Sequence, residues 1–511
     1  MPNTPVPAHR ARVLGYAATV FLSSAILLVL EIVAGRLIAP YVGVSLYTWT
    51  SIIGIILAGL SLGNWLGGIW ADRGATDRAA GVVLAAGGVY CILSLALATW
   101  AGRLVQAEGM TLLGASFTLA AILFLVPALL IGVVTPLLTT LALGLDPRPG
   151  HVVGRMNALA AVGSILGTFA AGYVLVQAFG SRALVLGCGL ALLLLALPYL
   201  RGLRPVAVLA LGLAVLGSGS LMWHAGGLET SCHRESAYFC IRVEDQSAEA
   251  PVGEARGLVL DHLLHGINHL EIPELLIAPY VHGLDELAHA HFGELYDLGL
   301  DWFFLGGGAY TQPRAVRVLS PASRVTVAEL DPAVTETARD ELAVDLNGIR
   351  VLHQDARLAL AKQAPGSLDL VIGDVFHDVA VPYHLTTREF AAEIHTRLGP
   401  GGLYAMNLVD AFPDPRLLKS VVATLRQVFR QVDVWMDGPP RANRITFIVT
   451  ASDAPPLPDE IPARTGPARS WFRVTDMLDR FGVPMDRVPV LTDDYAPVEQ
   501  LIAGLLTGSG S

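Results

Sequence analysis

The chain has 511 residues, of which 53% are hydrophobic, and its mean hydropathy is +0.54. This composition is too apolar for an ordinary soluble protein and indicates a membrane protein. The formal net charge of −10 is unevenly distributed, since residues 1–222 hold 5 of the 44 acidic and 11 of the 34 basic side chains. The acidic remainder argues against nucleic-acid binding, which depends on neutralising phosphates, and suits a cationic substrate.

The first half of the chain contains seven apolar segments, each long enough to cross about 30 Å of hydrocarbon as a helix. They lie at approximately 12–35, 48–70, 79–101, 113–143, 152–178, 181–200 and 205–223. The first is a span and not a cleavable signal, because Glu31 and Arg36 end it and no small-residue cleavage site follows. Gly63 and Gly163 stand among small residues at helix-contact spacing, which predicts close helix packing. The sequence thus predicts a transmembrane helical domain over residues 1–223, in contact with the lipid bilayer.

Two cysteines, Cys232 and Cys240, follow the last apolar segment. Their spacing and neighbours do not resemble a zinc site, which normally uses four ligands in recognisable pairs. A disulfide between them would require this side of the membrane to be oxidising. The pair therefore bears on where the second half of the chain lies.

From about residue 232 the pattern changes to short β-rich runs and amphipathic helices punctuated by Gly, Pro and Asp. Such alternation is typical of an α/β domain. We predict a β-rich lead-in and linker over residues 224–300, followed by a Rossmann-like, methyltransferase-type nucleoside-binding domain over residues 301–511.

A glycine-rich turn at the start of that domain indicates nucleoside binding. The apolar run Trp302–Leu305 meets Gly306, Gly307 and Gly308, and a second apolar run ends in Glu329, 23 positions after Gly306. Glycines let the backbone approach a ligand, and a carboxylate at the tip of the next strand binds ribose hydroxyls. An ordinary tight turn is the alternative. Nicotinamide binding is disfavoured because a threonine replaces the third glycine of the dinucleotide pattern.

Six histidines fall between residues 262 and 291. No acidic or cysteine partners stand at ligand spacing around them, so surface or core positions are favoured over a metal site. The sequence therefore predicts that no metal is bound.

Further blocks follow in a fixed order along the chain. They are Leu258-Val-Leu-Asp-His-Leu-Leu-His265, Tyr280, Gln354-Asp-Ala-Arg357, Asp369-Leu-Val-Ile-Gly-Asp374 and Pro382-Tyr-His-Leu-Thr-Thr-Arg-Glu-Phe390. Together with the glycine turn and Glu329 they resemble, over residues 236–500, the spermidine synthase family of aminopropyltransferases. The whole chain resembles the membrane-fused bacterial branch of that family, in which a multi-span, transporter-like domain precedes the synthase.

The resemblance implies a site for an S-adenosyl donor. Its residues are Gly306, Gly307, Gly308, Glu329, Asp355 and His265. Glu329 is expected to hold the ribose, Asp355 to accept from the adenine amino group, and His265 to lie near the donor. Where the family's glycine motif continues with Asp-Gly, this chain has Ala309 and Tyr310. The family's aspartate contacts the aminopropyl amine, so its absence leaves S-adenosylmethionine open as the donor beside decarboxylated S-adenosylmethionine.

The resemblance also implies a catalytic pair, Asp374 and Tyr280. Asp374 follows the strand Leu368–Gly373 and is expected to bind the acceptor ammonium and remove its proton, although it could simply cap a turn. Tyr280 would orient the acceptor or relay the proton, and Asp378 and Asp494 would help to bind it. No metal is needed, because a sulfonium is already an activated leaving group.

We therefore expect a membrane-integrated, aminopropyltransferase-like enzyme of the bacterial inner membrane. It would transfer an aminopropyl group from decarboxylated S-adenosylmethionine to a polyamine or another amine and release methylthioadenosine. One alternative is an S-adenosylmethionine-dependent transferase acting on a lipid or membrane-delivered amine. Another is a transporter with an adenosyl-sensing domain. The resemblance implies a homodimer.

Two expectations conflict about the side of the membrane on which the catalytic domain lies. Counted by loop, eight arginines lie on the side of the amino terminus and three on the other side. The positive-inside rule places the amino terminus in the cytoplasm and, after seven spans, the catalytic domain outside. Adenosyl compounds are made in the cytoplasm, and this chemical consideration favours the cytoplasmic side.

Overall fold

The computed structural model describes residues 7–107, 110–230, 232–375, 381–440 and 443–507. The chain divides into two compact units, Met1–Ser231 and Cys232–Ser511, called unit 1 and unit 2 below. The predicted β-rich lead-in, from Cys232 onward, and the predicted nucleoside-binding region thus share one compact unit.

All secondary-structure elements in the described part of unit 1 are helices. The helices are α1 (Pro7–Val42), α2 (Leu46–Asp72), α3 (Asp77–Ala107), α4 (Leu112–Ala120), α5 (Val126–Leu143), α6 (Pro149–Ala170), α7 (Val176–Phe179), α8 (Ser181–Ala196) and α9 (Pro205–His224). One turn of π-helix joins α4 to α5 and another joins α6 to α7. Within the described ranges this makes seven continuous helices that are long and apolar enough to cross a membrane.

The first helix differs from the sequence prediction at its end. Glu31 and Arg36 were expected to terminate it, but α1 continues through both to Val42. Glutamate and arginine are good helix formers, so a change in polarity does not by itself end a helix. The helix ends at Val42, and the next residue, Gly43, adopts a positive φ of 68°.

Glycines set the closest helix contacts in unit 1. A Cβ at Gly63 on α2 would collide with the carbonyl oxygen of Leu129 and lie 2.9 Å from the Cα of Gly132 on α5. A Cβ at Gly163 on α6 would likewise collide with the carbonyl oxygen of Phe21 on α1. Both contacts agree with the small-residue spacing, because only glycine lets two helix backbones approach this closely.

This packing predicts unequal effects of the same substitution at two glycines of α2. Gly63→Ala should destabilise unit 1 by about 1–3 kcal/mol, because the new methyl group overpacks against a backbone carbonyl. Gly68→Ala should be neutral or slightly stabilising, because nothing lies within 4 Å of its added Cβ and alanine is the better helix former. Thermal unfolding of the purified full chain compares the two variants. Equal melting temperatures would contradict the packing described here.

Unit 2 begins with a four-stranded antiparallel sheet. Its strands, in the order β1-β2-β3-β4, are β1 (Arg234–Glu235), β2 (Cys240–Asp245), β3 (Ala255–Leu260) and β4 (Leu263–His269). A disulfide links Cys232 to Cys240 at the start of β2. Asp261 turns the β3–β4 hairpin with a φ of 54°, and its Oδ1 accepts a hydrogen bond from the Cys240 N–H at 3.0 Å.

A nine-stranded sheet forms the centre of unit 2. Its strands are β5 (Asp301–Leu305), β6 (Arg324–Ala328), β7 (Ile349–Leu352), β8 (Leu368–Gly373), β9 (Leu398–Ala411), β10 (Gln431–Met436), β11 (Arg444–Ser452), β12 (Glu460–Pro462) and β13 (Ser470–Arg473). Their order is β12-β13-β10-β11-β9-β8-β5-β6-β7. The five strands from β7 to β9 pair in parallel and the remaining pairs are antiparallel. Strand structure is therefore not confined to the lead-in, and the parallel half has the Rossmann-like arrangement.

Helices accompany this sheet. They are α10 (Pro279–Phe292), α11 (Glu294–Leu298), α12 (Thr311–Leu319), α13 (Pro332–Glu341), α14 (Ala356–Leu360), α15 (Arg388–Arg397), α16 (Arg416–Leu425), α17 (Val498–Leu501) and α18 (Ala503–Thr507). The central strands read as continuous apolar runs because a parallel sheet is covered on both faces. Trp302, Phe304, Val327, Leu370 and Ile372 accordingly lie in one buried core.

Candidate active site

The glycine turn after β5 brings the ends of two parallel strands together. Gly306 and Gly308 adopt positive φ angles of 85° and 50°, which favour glycine. A Cβ at Gly306 would lie 2.5 Å from the backbone oxygen of Asp374, which follows the neighbouring strand β8. Gly307 then directs its N–H toward the Oε2 of Glu329, which accepts it at 2.9 Å. The turn therefore leaves an open backbone between two carboxylates at the carboxyl edge of the sheet, where ligands of such sheets bind.

Glu329 follows β6 and is held rigidly by backbone donors. Its Oε2 accepts from Gly307, its Oε1 accepts from the N–H of Asp331 at 2.9 Å, and the side chain is 7% exposed. Burial raises the pKa of Glu329, although these backbone hydrogen bonds favour the charged form. An ionised carboxylate has about four acceptor positions, and these backbone donors leave part of that capacity for a ligand. This carboxylate fits the paired hydroxyls of a ribose.

Asp374 lies at the end of β8 within a small network of polar side chains. Its Oδ1 accepts from Asn407 Nδ2 at 3.0 Å, and its Oδ2 accepts a long hydrogen bond from the Tyr280 hydroxyl at 3.4 Å. Burial raises the pKa of Asp374 to about 6, while the hydrogen bonds from Asn407 and Tyr280 act in the opposite direction. Such a carboxylate is ionised at neutral pH but is a stronger base than an exposed aspartate, as a general base requires.

Asn407 is a site residue that sequence reasoning missed. It lies on β9, directly after Met406, which pairs with Gly373 of β8. Its side chain is 6% exposed, and its Oδ1 receives no hydrogen bond from the described residues. Nothing local to the sequence marks this asparagine, because its place beside Asp374 depends on which strands are neighbours. The free Oδ1 is available to accept a hydrogen bond from a bound ammonium group.

The role of Asn407 can be tested through the pH profile. Asn407→Leu removes a donor that stabilises the charged form of Asp374, so the pKa of Asp374 should rise above about 6. Activity that needs the ionised carboxylate falls about tenfold per pH unit below that pKa. The acid limb of the kcat/KM profile should therefore move to higher pH in the variant. An unchanged limb with a uniformly lower rate would show that Asn407 does not tune Asp374.

Tyr280 and His265 approach Asp374 from elements outside the large sheet. Tyr280 lies in the first turn of α10, and its hydroxyl contacts the backbone oxygen of His265 on β4 as well as Asp374, both at 3.4 Å. Burial raises the pKa of Tyr280 far above its ordinary value, so the phenol stays protonated and acts as a donor. A Cβ at Gly308 would lie 3.3 Å from the same His265 oxygen. The hairpin strand β4 thus lies beside the glycine turn, and His265 contacts Tyr280 through its backbone oxygen.

Asp355 follows β7 and begins α14. Its Oδ1 accepts from the N–H groups of Arg357 and Leu358 at 3.0 and 3.1 Å, and its Oδ2 lies 2.9 Å from His384 Nε2. The carboxylate therefore caps a helix and pairs with a histidine. The resemblance implies that Asp355 binds the amino group of adenine. That amino group would have to share the Oδ2 atom with His384.

The two remaining predicted acceptor residues are not part of this network as described. Asp494 lies exposed in the turn Thr492–Tyr495. Its neighbour Asp493 makes the ordered contacts, pairing with Arg357 at 2.6 Å and accepting from the hydroxyl of Thr387 at 2.7 Å. Asp378 lies outside the described residues. Their roles in substrate binding stay predictions.

The structure shows where the unusual Ala309 and Tyr310 lie. Ala309 is buried, and its backbone oxygen accepts from Asn268 Nδ2 of β4 at 2.8 Å. A Cβ at Gly266 would lie 2.8 Å from the Ala309 methyl group, which therefore packs against the hairpin strand. Tyr310 is buried with a φ of 55° and a hydroxyl contact to Thr335 at 2.7 Å. Neither residue supplies a charge to the site.

Within the described ranges no group of three or more His, Cys, Asp or Glu side chains could hold a metal ion. The chemically active groups here are carboxylates, a phenol, an amide and open backbone. They lie at the carboxyl edge of a Rossmann-like sheet, where ligands of such sheets bind.

Comparisons with known proteins find relatives that match part of the chain. It is 26% identical over 215 residues to a probable polyamine aminopropyl transferase of Bifidobacterium longum, covering 39% of this chain and 48% of that protein. It is 31% identical over 168 residues to polyamine aminopropyltransferase 2 of Pseudomonas aeruginosa, covering 31% and 44%. The chain thus spans about half the length of these curated relatives. No family model matches.

Among solved structures, a probable spermidine synthase from Corynebacterium glutamicum aligns with a TM-score of 0.45 and 24% identity. The alignment covers 53% of this chain and 98% of that one. Over part of its length the chain is thus similar to polyamine aminopropyltransferases, which are transferases.

Proposed function

We propose that unit 2 transfers an alkyl group, in the first instance aminopropyl, from an S-adenosyl donor to an amine. The observation that carries this proposal is the shared edge of β5, β6 and β8. There Gly306 separates Glu329, which fits a ribose, from Asp374, which is tuned as a base. The similarity of the chain to polyamine aminopropyltransferases supports the same reaction.

The transfer requires alignment and a deprotonated amine. Asp374 accepts a proton from the acceptor ammonium, and the freed nitrogen lone pair attacks the methylene beside the sulfonium. The new N–C bond forms as the C–S bond breaks, and the electron pair of that bond neutralises the sulfur. The products are a secondary ammonium and 5′-methylthioadenosine, and the proton leaves from Asp374 to solvent. Holding both reactants in line supplies most of the acceleration.

Alanine at position 309 favours a second candidate donor. Because this buried methyl group replaces the family's aspartate, nothing at position 309 can pair with the free amine of decarboxylated S-adenosylmethionine. S-adenosylmethionine is therefore the alternative donor, with a lipid or membrane-delivered amine as the acceptor. A carboxylate contact to a partly buried ammonium contributes about 1.5–3 kcal/mol, so its absence weakens discrimination between the donors.

The products of the reaction distinguish these possibilities. Purified full-length protein is incubated separately with each donor and with a panel of amines, and the products are identified by mass spectrometry. Methylthioadenosine together with an amine heavier by one aminopropyl group supports the proposal. S-adenosylhomocysteine supports methyl transfer. Tight donor binding without any product would contradict the enzyme and support a transporter with an adenosyl-sensing domain.

We further propose that unit 1 is integrated in the bacterial inner membrane and that unit 2 lies on the side opposite the amino terminus. The seven apolar helices, the arginine count and the Cys232–Cys240 disulfide support this placement. The adenosyl donor must then reach that side of the membrane.

A reporter fusion after residue 511 tests this placement. We expect alkaline phosphatase to be active there and a fluorescent protein to be dark. The opposite pattern would place unit 2 in the cytoplasm, as the origin of adenosyl compounds suggests.

A further inference from the structure

An apolar cavity of about 310 Å³ opens on the surface of unit 2, and neither Glu329 nor Asp374 lines it. We call it the tail cavity. It is lined by Phe412, Pro413, Pro415, Met436, Gly438, Pro439, Pro440, Phe447, Phe472, Val474, Met477, Leu478 and Phe481. No side chain among these residues carries a charge. Its volume falls in the range of small-molecule sites, about 300–1,000 Å³.

The walls of the tail cavity are held in place by buried contacts. Lys419 is buried, and its Nζ donates to the backbone oxygens of Phe481 and Val483, the latter at 2.6 Å. Met436 pairs across the sheet with Phe472, and the rings of Phe412 and Phe481 lie 5.5 Å apart. The cavity is therefore a built feature of the fold and not a loose surface groove.

The rim of the tail cavity exposes large apolar side chains. Phe472, Met477 and Phe481 are each about two-fifths exposed although they neighbour a fully apolar hollow. An exposed apolar cluster of this kind marks a binding site, because water around it is displaced favourably by an apolar ligand.

A second cavity lies beside the tail cavity and has lining residues in common with it. This front cavity, of about 230 Å³, is lined in part by Tyr280, Asp437 and Trp435. It shares Met436 and the segment from Gly438 to Pro440 with the tail cavity. Tyr280, whose hydroxyl contacts Asp374, thus lines a cavity that borders the tail cavity.

We propose that the acceptor is an amine bearing an alkyl chain, with its nitrogen at Asp374 and its chain in the tail cavity. This inference rests on the proposed function, since it names the class of acceptor for the same site. A short diamine has no alkyl chain to place in the tail cavity. Each methylene buried from water should tighten binding by about fourfold, so a chain with half of an octyl group buried gains more than tenfold.

A matched pair of ligands tests the proposal by binding alone. The full chain in lipid nanodiscs is titrated calorimetrically with 1,3-diaminopropane and with N-octyl-1,3-diaminopropane. We expect the octyl compound to bind at least tenfold more tightly. Met477→Glu places a charge at the rim and should reduce this preference at least fivefold. Leu298→Glu is the control, because Leu298 is 73% exposed on α11 and lines neither cavity.

Photocrosslinking keeps the test decisive if Met477→Glu fails to fold. An N-alkyl diaminopropane with a diazirine at the chain end should label wild-type peptides that contain residues 412–415 or 472–481. Labelling confined to residues 1–231, or an octyl preference that survives in Met477→Glu, would overturn the proposal and leave the cavity to another occupant, such as a second copy of the chain. If Met477→Glu loses the octyl preference but the wild-type protein forms no product in the mass-spectrometric assay, the tail cavity is a binding site and the proposed transferase activity is wrong.

Discussion

Asp374→Asn should lower kcat by about 10²–10⁴-fold, the usual contribution of a positioned general base. The amide occupies the same space and can still contact Asn407 and Tyr280, so the fold should persist. It cannot take the ammonium proton, because it has lost the basic oxygen whose pKa burial raises to about 6. Affinity for methylthioadenosine should stay within about threefold of wild type, since the proposed ribose contact is made by Glu329.

Asp486→Asn is the matched control for this change, because Asp486 is an exposed aspartate outside the site. Calorimetry with methylthioadenosine and turnover with the preferred amine are measured for both variants. Equal loss of nucleoside affinity and turnover in Asp374→Asn would remove Asp374 from its role as the base and assign it to donor binding.

Glu329→Gln should show the complementary pattern, with its main effect on donor binding. A charged hydrogen bond contributes about 1.5–3 kcal/mol, so the dissociation constant of methylthioadenosine should rise about 10–150-fold. The substitution also replaces one acceptor oxygen by an NH₂ group, so either Gly307 N–H or Asp331 N–H loses its partner. The free energy of unfolding should therefore fall by about 1–3 kcal/mol.

Glu336→Gln serves as the control for Glu329→Gln. Glu336 is half-exposed on α13 and pairs with Arg234 at the surface, where an ion pair contributes little. Calorimetry and thermal unfolding are compared between the two variants. Wild-type nucleoside affinity in a folded Glu329→Gln protein would show that the ribose is bound elsewhere.

The parts of the site that could be predicted from sequence are those encoded within one strand–turn–helix unit. Gly306 and Glu329 are recognisable because each follows an apolar run at a fixed spacing, the pattern typical of open backbone and a ribose-binding carboxylate. The position of Asp374 after β8 follows from the same pattern. Seven long apolar helices were readable because hydrophobic length alone identifies them.

The remaining features depend on strand order and packing, which local patterns do not encode. Asn407 reaches Asp374 only because β9 pairs with β8. Asp355 caps a helix and meets His384, which comes from a distant loop. The inward packing of Ala309 against β4 follows from the lead-in sheet lying against the glycine turn. Helix α1 continues beyond Arg36 because polarity and helix formation are separate properties.

The most direct measurement is an experimental structure of the full chain with bound 5′-methylthioadenosine. We expect both ribose hydroxyls to lie within about 2.6–3.2 Å of the Glu329 carboxylate oxygens, the range of a hydrogen bond. The methylthio sulfur should face Asp374 across Gly306. A nucleoside that binds away from Glu329, or whose sulfur points away from Asp374, would contradict a single site that joins a ribose-binding carboxylate to a base.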